Sequence, residues 1–208
     1  MTTNLDLARD ERMAFADFLA GLTPEQWATP SLCAGWTVRD VAAHCVSFEG
    51  FSGGQLTARF LKGRLQTDRI NALAVADLAG ASTDDLIGLL RDNALPHGLG
   101  AGFGGRVALT DNMIHQQDIR RPLGQPRTIP AERLSAALDF VRYAPTIRGA
   151  WQVRGLRLVA TELEWTHGKG PEVRGPGEAL LMVMAGRADA LGDLHGHGLA
   201  TLAARLNP

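Results

Sequence analysis

Three residues of types that can do chemistry stand out in this sequence: His44, Asp111 and His115. Asp111 and His115 are four apart in Thr110-Asp111-Asn112-Met113-Ile114-His115, so a helix would stack both on one face. Two imidazoles and one carboxylate are the ligand set of catalytic zinc sites with an open fourth position, and of non-haem iron sites. Each part also has a plainer reading. His44 taken alone is a hydrogen-bonded core histidine, and Asp111 with His115 is a solvated i,i+4 pair. Asp118 adds to the joint reading, since it follows His115 by three residues and Asp111 by seven on the same helical face. It falls in a last turn, where the helix dipole disfavours an acid by roughly 0.3–1 kcal/mol. Two partners would account for it there: a ligand imidazole that it orients from behind, or Arg120 or Arg121.

The elements that must position these residues read as helices over the first 120 positions. Leu7, Phe15, Phe18, Leu19 and Leu22 recur at helical spacing. Thr23-Pro24-Glu25-Gln26 supplies an N-cap, a proline at the first helical position and a capping-box partner. Thr37 caps the next helix with Asp40 three residues on, and Val38, Val41, Ala42, Cys45 and Phe48 make its apolar stripe. His44 lies beside that stripe, which points it into or along a bundle. Gly50 to Gly54 loosens the chain, and one long helical stretch is expected from about Gln55 to Leu78. Ser82-Thr83-Asp84-Asp85 opens another helix with acids in its first turn. Leu95 to Gly105 is loop chemistry. From Arg106 to about Arg121 the chain is helical again, and Pro122 with Gly124 ends it. Four main helices joined by loops make a bundle pattern, and bundle cores commonly host metal sites on facing helices.

The composition shifts near Leu123 to Pro130, which predicts a helical domain over 1–124 and a small α/β domain over 125–208, an α+β chain in all. In the second domain Ala131 to Tyr143 reads as an amphipathic helix, and Leu156 to Trp165 alternates with period two as a half-buried strand. Glycine-rich turns at His167-Gly168-Lys169-Gly170 and Arg174-Gly175-Pro176-Gly177 bracket a second short strand around Val173. Glu178 to Ala185 and Ala200 to Leu206 read as closing helices.

Several functions are excluded or disfavoured. The 208 residues carry a net charge of −1 and no Lys/Arg cluster, so no nucleic-acid footprint is present. No apolar run reaches the roughly 18–20 residues of a membrane span. The first residues show neither a basic nor an apolar leader region, so a cytoplasmic protein is expected. Cys33 and Cys45 are too few for a disulfide scaffold. Cys45 follows His44 onto the buried stripe, and Cys33 sits in a loop with no evident base nearby. His97, His167, His195 and His197 lie in glycine-rich segments and read as exposed loop residues, although His195-Gly196-His197 offers a possible chelate. The H-x-x-x-C-x-x-C spacing, the G-x-S-x-G elbow and the Walker A lysine motif are absent. Gly100 to Gly105 follows no strand, so it is no dinucleotide loop.

With these residues laid out, the run Ser31-Leu32-Cys33-Ala34-Gly35-Trp36-Thr37-Val38-Arg39-Asp40-Val41-Ala42-Ala43-His44, preceded by Trp27, resembles the N-terminal signature of the mycothiol-dependent maleylpyruvate isomerase family. Asp111-x-x-x-His115-x-x-Asp118-Ile119-Arg120-Arg121-Pro122-Leu123-Gly124 resembles its second signature, and Gly186-Arg187 with Leu194 to Gly198 resembles its small C-terminal domain. The resemblance implies a DinB-like four-helix bundle, a divalent metal (zinc first) on His44, Asp111 and His115, and Arg187 as the C-terminal arginine that approaches the site. It also implies mycothiol or a related low-molecular-weight thiol as cofactor and a small electrophile as partner. The arginine-rich, lysine-poor composition suits a GC-rich, actinobacterial genome.

The isomerase has Glu where this chain has Asp111, one methylene shorter, which is expected to reorient that bond and weaken the metal. The expected function is a thiol-dependent isomerase or S-transferase, with Asp118 orienting a ligand and Arg187 binding a substrate carboxylate. The alternatives are a non-catalytic metal-containing regulatory or stress-response module, or an unmetallated dimerisation scaffold. A monomer or homodimer is expected.

Overall fold

The computed structural model of the chain describes residues 2–48, 53–64, 66–144, 147 and 149–206. They fall into two compact units, Met1–Pro126 and Arg127–Pro208.

The first unit is helical. It holds α1 (Asn4–Ala20), α2 (Pro24–Trp27), α3 (Val38–Val46), α4 (Gly53–Lys62), α5 (Thr67–Asp77), α6 (Thr83–Asp92) and α7 (Arg106–Arg120). Four of these helices start at capping boxes, in which a threonine or serine and the residue three positions on bond each other's backbone N–H: Thr3 with Asp6, Thr23 with Gln26, Thr37 with Asp40, Ser82 with Asp85. Each box satisfies two of the orphan donors that every helix start exposes.

Helix α1 packs on α6 and α7, and α3 packs on the same two, which closes a four-helix bundle. Phe15, Leu19, Leu86, Leu90, Leu109, Met113 and Ile119 are fully buried between them. Each such side chain contributes roughly 1.5–3 kcal/mol over its exposed state.

The long helix expected over 55–78 is two helices. Apolar periodicity continues through it, but the chain reverses at Gly63 and Arg64, where Arg64 has φ +55°. A Cβ on Gly63 would stand 2.3 Å from Ile70 Cγ1, so the missing side chain lets α5 fold against the end of α4. Of the loosened segment 50–54, residues 50–52 lie outside the described residues.

The second unit holds α8 (Ala131–Val141), α9 (Gly149–Gln152), β1 (Arg157–Ala160), β2 (Thr166–Gly168), β3 (Glu172–Gly175), α10 (Gly177–Met184), a 3-10 segment (Ala188–Asp193) and α11 (Leu199–Leu206). The sheet order is β2-β1-β3, with β1 antiparallel to β2 and parallel to β3. Helix α10 is buried all round, from Gly177 and Ala179 to Met184, and forms the centre of this unit's core.

The alternating run 156–165 is strand only to Ala160. Glu162 leaves the ladder to cap α10, accepting the Gly177 N–H at 2.8 and 3.1 Å on its two carboxylate oxygens. The chain then reverses and pairs back antiparallel on β1 as β2, so His167 and Gly168 are paired residues where a turn was expected. Among the described residues no helix is long and apolar enough to cross a membrane.

Candidate metal centre

The loop before α3 and the last turns of α7 build one site. Pro30 and Thr37 bridge as a tight hairpin, closed by the Ser31 N–H on the Trp36 carbonyl at 2.9 Å and turned at Gly35 with φ +77°. A left-handed backbone of that kind favours glycine. Thr37 then starts α3 with its side-chain oxygen accepting the Asp40 N–H at 3.3 Å, and two turns later the helix presents His44. Arg39 ties α3 down by donating to the carbonyls of Leu78, Ala79 and Ala81.

On α7 the i,i+4 and i,i+3 spacing does what helical geometry requires. Asp111, His115 and Asp118 share a face, and the opposite side buries Leu109 and Met113. His44 meets this face from α3. Its ring centroid lies 4.8 Å from that of His115, nearly edge-on, with Trp36 at 5.2 Å and Phe48 at 6.1 Å walling it in.

The donor atoms of His44, Asp111 and His115 all lie within 4.8 Å of one another. His115 Nε2 and Asp111 Oδ1 are 3.6 Å apart. Donors on a tetrahedral ion with bonds of about 2.0–2.1 Å stand roughly 3.3–3.5 Å apart, so this pair fits a divalent ion. The other ring nitrogen of His115 faces away from that set. Nδ1 lies 2.9 Å from Oδ2 of Asp118, a carboxylate with no solvent exposure. That pairing keeps a proton on Nδ1 and leaves Nε2 as the nitrogen that can ligate once its own proton is displaced, the arrangement by which outer carboxylates orient metal-ligating histidines.

Charge points the same way. Burial works against a cation on His115, but Asp111 on one side and Asp118 with Cys33 on the other outweigh it and push the imidazole up to about 10. Without a metal the site therefore holds a proton at neutral pH, and its surroundings favour positive charge. Burial, reinforced by Asp111, pushes the Cys45 thiol well up, in keeping with a packing residue.

The structure corrects the reading of Cys33. Its Sγ donates to Asp118 Oδ2 at 3.1 Å and lies 3.7 Å from His115 Nδ1, so a carboxylate acceptor and an imidazole are both at hand. Cys33, His115 and Asp118 form a second cluster of possible donors. Sequence spacing carried no sign of it, because Cys33 is 82 residues from His115 and meets it only when the hairpin docks on α7. For Asp118 the structure places His115 Nδ1 at 2.9 Å from Oδ2, within reach of its unfavourable place on the helix.

Arg187 belongs to the second unit, where it follows α10 and donates to the Ala185 carbonyl at 2.6 Å. His195 and His197 join no donor cluster among the described residues. His167 is half-buried in β2, 2.8 Å from the Arg142 guanidinium, and desolvation with that cation lowers its pKa.

A four-helix bundle that gathers two imidazoles and a carboxylate between facing helices is DinB-like in class, and with the small sheet unit the chain is α+β. Residues 8–96 match the model of the mycothiol maleylpyruvate isomerase N-terminal domain. The matched segment contains Cys33 and His44 and ends before Asp111.

Among solved structures, the crystal structure of the mycothiol-dependent maleylpyruvate isomerase is similar at a TM-score of 0.52 and 14% identity, over 93% of this chain and 91% of that one. A histidine-to-alanine mutant of the isomerase is similar at 0.50 and 13%, over the same shares. At such identities the likeness is one of fold. No curated protein matches the sequence.

Proposed function

We propose that this chain is a metal-dependent enzyme that uses a low-molecular-weight thiol, mycothiol or a relative of it, to isomerise or S-conjugate a small electrophile. The carrying observation is the convergence of His44, Asp111 and His115 with Asp118 behind His115, inside a bundle whose N-terminal domain family is named for such an isomerase. His44 and His115 would hold the ion as neutral nitrogen donors and Asp111 as an anionic oxygen donor, with zinc the best match to this set. When bound, such an ion supplies an open Lewis-acidic position at which a thiol is deprotonated.

The remaining roles belong to the chain. Asp118 keeps the His115 proton on Nδ1. Trp36 and Phe48 shield His44 from water on its other faces. Arg187 is the candidate for a substrate carboxylate.

A free thiol has a pKa of about 8.5, so at neutral pH only a few per cent is nucleophilic, and activating it is where a rate advantage would arise. Addition of the thiolate to a conjugated carbonyl followed by elimination gives cis–trans isomerisation. Displacement gives S-transfer.

The test is elemental analysis of untagged protein, followed by a screen of thiols with electrophiles. About one divalent ion per chain and turnover that needs both thiol and metal are expected. Turnover unchanged after metal removal would refute the proposal.

A further inference from the structure

We infer that Cys33 is a positioning residue of the metal centre, acting on His115 through Asp118. The inference rests on the proposed function for its use of a metal. The argument begins with Asp118, a carboxylate with no exposure, close to an imidazole and a thiol at once: His115 Nδ1 at 2.9 Å and Cys33 Sγ at 3.1 Å, both on the single oxygen Oδ2. Two donors on one oxygen fix the rotation of that carboxylate, and the carboxylate fixes the ring.

The hairpin that carries Cys33 is clamped to the same residue by its backbone, because the Leu32 N–H donates to the Asp118 carbonyl at 3.0 Å. Ser31 Oγ in turn accepts the Cys33 N–H at 3.1 Å, so the thiol is held in place by its own loop. Cys33, Asp118 and His115 thus form a chain of three side chains from two separate stretches of sequence, the hairpin and α7, ending at Nε2, the ring nitrogen on the Asp111 side.

The thiol lies on the Nδ1 side of the ring and the proposed ion on the Nε2 side, which makes Cys33 a support of the ligand and leaves it outside the ligand set. Outer partners of metal-ligating histidines typically carry about 10–100-fold in metal affinity. Cys33 stands one bond further out than Asp118, so the low end of that range applies.

The experiment compares the full-length parent with Cys33→Ser and Cys33→Ala. Zinc affinity is read by competition with a chromophoric chelator, and the His115 Nδ1 proton is read by NMR in the metal-free protein. Cys33→Ala is expected to bind zinc about tenfold more weakly and to lose exchange protection of the Nδ1 proton. Cys33→Ser, whose hydroxyl still donates to Asp118, is expected to recover most of both. A loss through packing alone would appear in both variants and leave the Nδ1 proton protected, which overturns the inference, as does parent-like affinity in Cys33→Ala. If the parent binds no zinc, the proposed function fails by itself. The role of Cys33 is then decided by the Nδ1 proton, and an unchanged proton in Cys33→Ala overturns it. Far-UV circular dichroism checks that each variant is folded.

Discussion

Replacing Asp118 by Asn removes one charge from the interior while nearly preserving shape, and it should disable the metal centre by changing which ring nitrogen of His115 carries the proton. In the parent, Asp118 Oδ2 accepts from Nδ1 at 2.9 Å, so Nδ1 keeps its proton and Nε2, on the side where Asp111 stands at 3.6 Å, is the nitrogen that gives up its proton to a metal. An asparagine amide can turn its NH2 toward Nδ1 and donate, which moves the remaining ring proton to Nε2 and blocks the donor. A second effect opposes this one. Asp118 also helps hold His115 at about 10, so a metal must displace a proton at neutral pH, and removing the charge lowers that barrier. The orientation effect should win, because an imidazole with its proton on Nε2 cannot ligate through that atom at all.

Loss of an outer carboxylate typically costs about 10–100-fold in affinity. That is roughly 1.4–2.7 kcal/mol at about 1.4 kcal/mol per tenfold. The assay is chelator competition for zinc at neutral pH, with the His115 ring nitrogens observed by NMR in the metal-free state. Affinity equal to or tighter than the parent's would refute the orientation argument and show that proton competition governs the site.

Four further outcomes are expected. His44→Ala and His115→Ala should each reduce bound metal from about one ion per chain to none by elemental analysis, and retention in either would remove that residue from the ligand set. The metal-free protein should lose stability as pH rises. His115 is raised from about 6.5 in the unfolded chain to about 10 in the fold, so its contribution is full below 6.5 and lost on the way through 10. Urea midpoints measured between those limits should fall, and should fall much less in His115→Ala. Thr37→Ala removes the capping box of α3 and should cost about 1 kcal/mol, a drop of roughly 2–4 °C in Tm by calorimetry; an unchanged Tm would mean the box contributes nothing. Arg187→Ala should raise KM for a carboxylate-bearing electrophile with metal content unchanged, and equal KM values would exclude that role.

Much of the helical unit was legible because its signals are local. A capping box is a four-residue pattern, so Thr23 and Thr37 announced their helices, and the shared face of Asp111, His115 and Asp118 follows from 3.6 residues per turn. The resemblance around Trp36 to His44 led to the family for the same reason, since it is a continuous run. What the local signals could not carry were reversals and partners. Periodicity ran on through Gly63 because apolar spacing is blind to a positive φ at Arg64, and alternation ran on past Ala160 because nothing local says that Glu162 caps a helix that begins at Gly177.

The sequence by itself determined the residue types, the faces they share on α7 and the resemblance that residues 8–96 bear to a known N-terminal domain. Only the tertiary structure decided that His44 meets His115 across two helices, that Asp118 turns a carboxylate oxygen to the ring, and that Cys33 is no isolated loop thiol. The physical reason is range. Hydrogen bonds and ring contacts within one helix are fixed by its repeat, whereas contacts between residues 80 or so positions apart are set by how the apolar faces of α1, α3, α6 and α7 pack, and that packing depends on all four at once.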